Sequence, residues 1–261
     1  MSGHKLTYKD PLYNILKANL QKLEEHFGLK ACVGAELEFY LHNLKDFSQL
    51  QILEQSIIDL SEKKVTRIQK ERGCSQYEVD IKPSVEVIDY PKTILSLRNI
   101  IADEAKKLGL QADFSSKPFK DDFGNSMHIH LNFVSNHGND DDDPDLENYA
   151  EILCHYLPLD INVFLPRAED YERLDSRFMA PTHISYGGNN RTTLIRIPDS
   201  LPRRIEHRLS AATSDPLEVI ATVIMRIYEG LKDPRSITRL AKIYGNAYDA
   251  QYNLVEIKSL L

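Results

Sequence analysis

The stretch Gly34-Ala35-Glu36-Leu37-Glu38-Phe39-Tyr40-Leu41 alternates with a period of two. Leu37, Phe39 and Leu41 fall on one side, and Glu36, Glu38 and Tyr40 on the other, as a β-strand requires. Read as a strand, it stands two carboxylates side by side. Like charges that close cost free energy unless water or a cation neutralises them. Taken alone, the stretch fits a half-buried strand with a solvated polar face as well as it fits a cation site.

Three further stretches repeat the pattern with complementary residue types. Gln76, Glu78 and Asp80 alternate with Tyr77, Val79 and Ile81. His128, His130 and Asn132 alternate with Met127, Ile129, Leu131 and Phe133. Arg204, Glu206 and Arg208 alternate with Ile205, His207 and Leu209. In one antiparallel sheet these polar sets share a face, and helices cover the other. Carboxylates with an imidazole suit Mg²⁺ or Mn²⁺ better than zinc. Arginines beside such cations grip phosphate oxygens in bidentate fashion. The combination is the equipment of phosphoryl transfer from a nucleotide, without a Walker loop. The competing reading is a set of surface salt bridges across a solvated sheet.

Composition narrows the classes. The chain has 261 residues, 42% of them hydrophobic, enough for one large domain or two small ones. A net charge of −7 and a pI near 5.7 argue against nucleic-acid or anionic-membrane partners. Three cysteines, Cys32, Cys74 and Cys154, make neither a metal spacing nor an even framework. No apolar run is long enough to span a bilayer, so a soluble, reducing, cytoplasmic setting is expected.

Along the chain, Asp10-Pro11 reads as a helix start, followed by Leu12, Ile15, Leu16, Leu20, Leu23 and Phe27 at helical spacing and Gly28 as the stop. Phe47 to Leu60 is a second amphipathic helix. Val65 to Ser84 reads clearly only in its second part, a strand from about Ser75 to Ile81, with Glu71 just before it. Pro91 opens a helix that ends at Gly109, and an extended piece runs from Gln111 to Phe119. Asn136 to Pro144 reads as a solvated acidic loop before a helix from Leu146 to Leu157, and Pro158 and Pro166 bracket an irregular segment. Thr182 to Gly188 and Thr192 to Ile197 read as strands. Asp215-Pro216 starts a long helix to Gly230, and the last 30 or so residues read as helical and peripheral.

In this order the motifs resemble the catalytic domain of glutamine synthetase, from about Asp10 to Gly230. Val33 to Phe39 is similar to that family's Gly-Pro-Glu-x-Glu-Phe strand, and Glu71 with Gln76-Tyr77-Glu78 to its Glu…Gly-Gln-x-Glu segment. Lys117-Pro118-Phe119 and Gly124 to His130 resemble its Lys-Pro…Gly-Ser-Gly-Met-His-x-His, and Tyr171 to Leu174 its Ser-Tyr-Lys-Arg-Leu. Asn190-Arg191 through Arg196-Ile197-Pro198, then Arg204-Ile205-Glu206-His207-Arg208, complete the series. The resemblance implies an α+β fold, a curved, mainly antiparallel sheet with helices on its outer face, with residues 1–261 forming a single catalytic domain. It implies one metal site of Glu38, Glu71 and Glu78 and another of Glu36, His128 and Glu206, holding two or three Mg²⁺ or Mn²⁺ ions. His130, Arg196 and Arg204 would lie along the phosphates of ATP. Arg191 and Arg196 would act in catalysis. Gly124, Arg173 and Arg208 would bind the carboxylate substrate. The implied reaction activates a carboxylate as an acyl phosphate, which an amine then attacks.

Departures are equally legible. The family's N-terminal β-grasp domain, whose neighbouring copy completes each site, is expected to be missing, which puts the usual ring in question while leaving a homo-oligomer open. The family's flap glutamate falls at Met179, and its amino-acid-contacting asparagine at Phe123. The expectation is therefore an ATP- and metal-dependent carboxylate–amine ligase whose substrate pair need not be glutamate and ammonia. The alternatives are a non-catalytic binder of nucleotide and metal, or a phosphotransferase to a guanidino or carboxylate acceptor.

Overall fold

Leu29–His42 forms the central strand, β1, of an eight-stranded sheet. The computed structural model describes residues 11–135 and 145–260. Asp10, expected to cap the first helix, and the Asn136 to Pro144 loop lie outside them.

The other elements are α1 (Pro11–Phe27), α2 (Phe47–Leu60), β2 (Val65–Lys70), β3 (Gln76–Ser84), α3 (Tyr90–Lys107), β4 (Gln111–Asp113) and β5 (Met127–Ser135). They continue with α4 (Leu146–Phe164), β6 (Tyr186–Gly187), β7 (Ile195–Arg196), β8 (Ile205–His207) and α5 (Pro216–Lys232). The strand order is β2-β3-β1-β5-β8-β7-β6, with β4 also pairing β1. Only β6 and β7 pair in parallel among the described strands. The result is a curved, mainly antiparallel sheet with helices on one face. Among the described residues no helix is long and apolar enough to cross a membrane.

Local chemistry explains the helix ends. Asp46 accepts hydrogen bonds from the backbone N–H groups of Ser48 and Gln49 to start α2, and Asp215 accepts from Leu217, with Pro216 in the first turn, to start α5. The apolar side of the sheet packs on the helices. Leu37, Val79, Met127 and Ile129 join residues of α1, α3, α4 and α5 in one core. Helices α4 and α5 meet at Gly230, where an added Cβ would stand 2.5 Å from Ile152 Cγ1. Gly230→Ala is therefore expected to destabilise the protein by about 1–3 kcal/mol despite the better helix propensity of alanine. A raised melting temperature would contradict this contact.

Three expectations need correction, and one stretch left open by the sequence is resolved. Helix α4 does not stop at Leu157 but runs through Pro158 to Phe164. Burial of Leu157, Ile161 and Phe164 outweighs the hydrogen bond that proline removes. Val65–Lys70 is a strand, held at the sheet edge by pairing with β3. The strands expected at Thr182 to Gly188 and Thr192 to Ile197 shrink to two residues each, because turns and loops take their flanks. The segment after α5 is mostly exposed, as expected, but it is not α-helical. Its two short helical turns are of the tight 3₁₀ kind, at Ala250–Tyr252 and Ile257–Leu260. Its backbone bonds reach back to earlier loops: Ile243 N–H to Tyr186 O at 2.9 Å and Ile257 N–H to Thr182 O at 2.9 Å.

Candidate active site

The polar face of the sheet is built by register. Glu38 stands opposite Glu78 across β1 and β3. Glu36 stands opposite Asp80 on one side and His128 on the other. His130 stands opposite Glu206, which in turn faces Arg196. Directly opposed residues of an antiparallel pair have Cβ atoms roughly 4.5–5.5 Å apart, so the rows bring the side chains into contact.

The contacts are dense. Glu38 Oε2 accepts from Ser126 N–H at 2.7 Å and from Ser126 Oγ at 2.6 Å. Ser126 Oγ also lies 2.8 Å from His128 Nε2. His128 Nδ1 is 3.0 Å from Glu36 Oε2 and 3.6 Å from Glu206 Oε1. Glu206, 1% exposed, is held by Arg196 Nη1 at 2.5 Å and Arg208 Nε at 3.1 Å. Arg204 Nε donates to His130 Nδ1 at 2.9 Å, and His130 Nε2 lies 3.2 Å from Glu36 Oε1. Gln69 Nε2 donates to Glu78 Oε1 at 2.6 Å.

Three groups of donor atoms lie within 4.8 Å of one another: Glu36, His128 and Glu206; Glu38, Glu78 and His128; and Glu36, Glu78 and Asp80. The family resemblance implies that Glu71 joins Glu38 and Glu78. Glu71 lines the same pocket, but in the second group the third donor is His128. Glu71 sits on the turn before β3, where its Oε2 accepts from the next backbone N–H, that of Arg72, at 3.2 Å. Asp80 was not among the expected ligands. The alternation that singled out Glu78 runs on to Asp80, so the signal was present.

Charge crowding sets the protonation. Burial, with Glu36, Glu38 and Glu71 nearby, pushes the Glu78 carboxyl up to about 10. Burial and Glu38 also raise Glu71. Burial acts in the same sense on Glu36 but is overcome by His130 and His128, which hold Glu36 well below the usual carboxylate range. Glu206 is lowered in the same way, His128 and Arg208 outweighing its burial. A surface whose crowded, buried carboxyls resist ionisation, and whose donors are oxygens plus imidazole with no thiolate, fits a hard divalent cation such as Mg²⁺ or Mn²⁺.

The pocket over Glu38, Glu78 and His128 has about 70 Å³ of free volume and continues past Glu71, Gly124, Arg173, Arg191 and Arg208. Arg173 is 3% exposed; it donates to the carbonyls of Asn125 at 3.2 Å and Arg208 at 2.9 Å, while its Nη1 has no partner. Burial pushes its guanidinium down to about 10. Arg208 also donates to the Arg191 carbonyl. Gly124 is forced by space, since an added Cβ would lie 2.6 Å from Ser116 O and 2.7 Å from Arg173 Cβ. A second cavity of about 240 Å³ lies beyond Glu36 and Asp80, lined by Gly34, Arg67, His130, Asn132 and Arg204 among others. Most of the expected site residues thus line two cavities along one sheet face; Arg196 and Glu206 line neither and pair with each other, with Glu206 beside Glu36 and His128. Facing away from both cavities, His207 is 1% exposed, stacked on Phe164 with centroids 4.2 Å apart, and neither ring nitrogen has a hydrogen-bond partner.

The family model for the glutamine synthetase catalytic domain matches residues 55–260. The chain is 29% identical to a glutamine synthetase of Pyrococcus woesei over 264 aligned positions, covering 90% of this chain and 59% of that protein. It is 28% identical over 170 positions to a gamma-glutamylputrescine synthetase of Escherichia coli strain K12, covering 62% of this chain and 36% of that protein. The fold matches that of Plasmodium falciparum glutamine synthetase with a TM-score of 0.78 at 19% identity, covering 93% of this chain and 59% of that one. The chain therefore spans well under two thirds of the length of these relatives. With the matched residues taking up most of its length, the chain belongs to the glutamine synthetase family.

Proposed function

We propose that this protein is an ATP- and divalent-metal-dependent carboxylate–amine ligase acting through an acyl phosphate, with residues 1–261 as one catalytic unit. The observation that carries the reading is the floor of interlocked acidic and imidazole donor groups, each within 4.8 Å, beside a pocket lined by Arg173, Arg191 and Arg208. Both relatives named above are synthetases by their names, one of glutamine and one of gamma-glutamylputrescine.

Glu36, His128 and Glu206 would hold one cation; Glu38 and Glu78, with Glu71 alongside, would hold another. When bound, the cations would neutralise the negative charge gathered during phosphoryl transfer. His130, Arg196 and Arg204 orient the phosphates of ATP. Arg173 and Arg208 hold the acceptor carboxylate, with Gly124 leaving it room. Arg191 and Arg196 stabilise the transferring phosphoryl group. A carboxylate oxygen attacks the γ-phosphorus and ADP leaves. The amine nitrogen then attacks the acyl carbon, the C–O bond to phosphate breaks, and the amine proton departs with the phosphate.

The test is Mn²⁺-dependent ADP release across a panel of carboxylates and amines. ADP release that depends on a carboxylate, with an amide as product, is the expected result. Measurable ATP binding with no turnover for any pair would overturn the ligase reading in favour of a nucleotide-binding sensor.

A further inference from the structure

Resting on that ligase reading, we infer that the second substrate is a primary monoamine with an apolar substituent, branched alkyl or aryl, rather than ammonium or a diamine. One stretch of the first pocket's lining is made of uncharged side chains. It consists of Phe123 from the loop before β5 and the run Phe178, Met179, Ala180 and Pro181. The two rings pack edge to face with centroids 5.4 Å apart, and Lys117 Nζ sits 3.8 Å from the Phe178 centroid. Met179 adopts a left-handed backbone, φ 57°, and its Sδ faces Arg72 Nη1 at 3.1 Å.

The opposite sides of the pocket are committed. Of the acidic side chains that line it, Glu38 and Glu78 belong to the cation floor with Glu71 alongside, and Arg173 and Arg208 suit the acceptor carboxylate. On the ligase reading the nucleotide phosphates lie toward the second cavity, which His130 and Arg204 line. The side left facing the acyl carbon is the apolar wall. An apolar substituent gains burial there. Ammonium gains nothing from it. A diamine would bring its distal cation toward Arg72, whose guanidinium reaches Met179, and toward Lys117 over the Phe178 ring.

The full-length chain with Mn²⁺ and ATP, and the carboxylate that supports most ADP release, is titrated with isoamylamine, benzylamine, ammonium and putrescine. The kcat/KM for one of the two apolar amines is expected to exceed those for ammonium and putrescine by about tenfold or more, the scale of discrimination an apolar pocket gives. Met179→Glu should cut that preference about tenfold by placing a carboxylate on the wall. Unchanged Mn²⁺–ADP affinity would show that the variant is folded. ADP release with ammonium or putrescine preferred would overturn this inference and leave the ligase reading standing, as would an unchanged preference in Met179→Glu. The absence of ADP release with every pair would remove the ligase reading and this inference together.

Discussion

Replacing Glu78 with glutamine will raise the melting temperature of the metal-free protein and abolish its Mn²⁺-dependent binding of ATP. The two effects have one cause. Glu78 is 4% exposed and stands directly across from Glu38, with Glu36 and Glu71 close enough to push its carboxyl upward. Without a cation, that arrangement costs free energy that a neutral amide of the same shape avoids. The amide still fits, because its oxygen can accept the bond that Gln69 Nε2 now gives to Oε1. With a cation, the same carboxylate is a donor that glutamine replaces poorly. In the wild type, ligand at a hundredfold above its Kd stabilises the fold by about 2.7 kcal/mol, and the variant should lose that increment. Thermal denaturation with and without Mn²⁺ and ATP reads both signs. Retained Mn²⁺-dependent stabilisation would place the cation elsewhere, and a lower melting temperature without metal would show that Glu78 is not under like-charge strain.

That pairing of opposite effects explains why the sheet face was readable from the sequence. A strand repeats every second residue, so Glu36 with Glu38, Gln76 with Glu78, and His128 with His130 declare a shared face locally. What local pattern could not supply was register. Glu36 and His128 lie 92 positions apart and touch because β1 and β5 pair as they do. The same register puts His128 rather than Glu71 among the close neighbours of Glu38 and Glu78, and brings Asp80 beside Glu36. His207 shows the reverse. Its alternation assigned it to the helix-facing side, and it is there, yet a buried imidazole with no partner is something no periodicity announces. Pro158 misled for a related reason: proline's local cost is visible in a sequence, and the tertiary burial that outweighs it is not.

The largest misreading, the segment after α5, leads to the second strong expectation. Ile257→Ala should lower stability by about 2–4 kcal/mol, because its fully buried side chain closes a strap over the site loops. The strap has two attachments. Near the apolar wall, Ile257 N–H donates to Thr182 O, Ile184 N–H donates to Val255 O, and Tyr248 Oη donates to Ala180 O, each at 2.9 Å. Near Arg191, Ala247 N–H donates to Thr192 Oγ1 at 2.9 Å, and Asn190 Nδ2 donates to Gly245 O at 2.8 Å. Both loops that flank the pocket are therefore tied to one run of chain whose own residues hold little regular structure. Backbone bonds to distant loops leave no periodic trace, which is why helical spacing was a poor guide there. Tyr248→Phe separates positioning from stability. It removes one hydrogen bond, worth about 1 kcal/mol, and leaves the ring in place. If the strap sets the position of the Ala180-Pro181 wall, this variant should raise the amine KM severalfold with Mn²⁺–ADP affinity unchanged. A variant with wild-type KM would reduce the strap to a stabilising belt, and an Ile257→Ala protein with an unaltered melting temperature would remove even that.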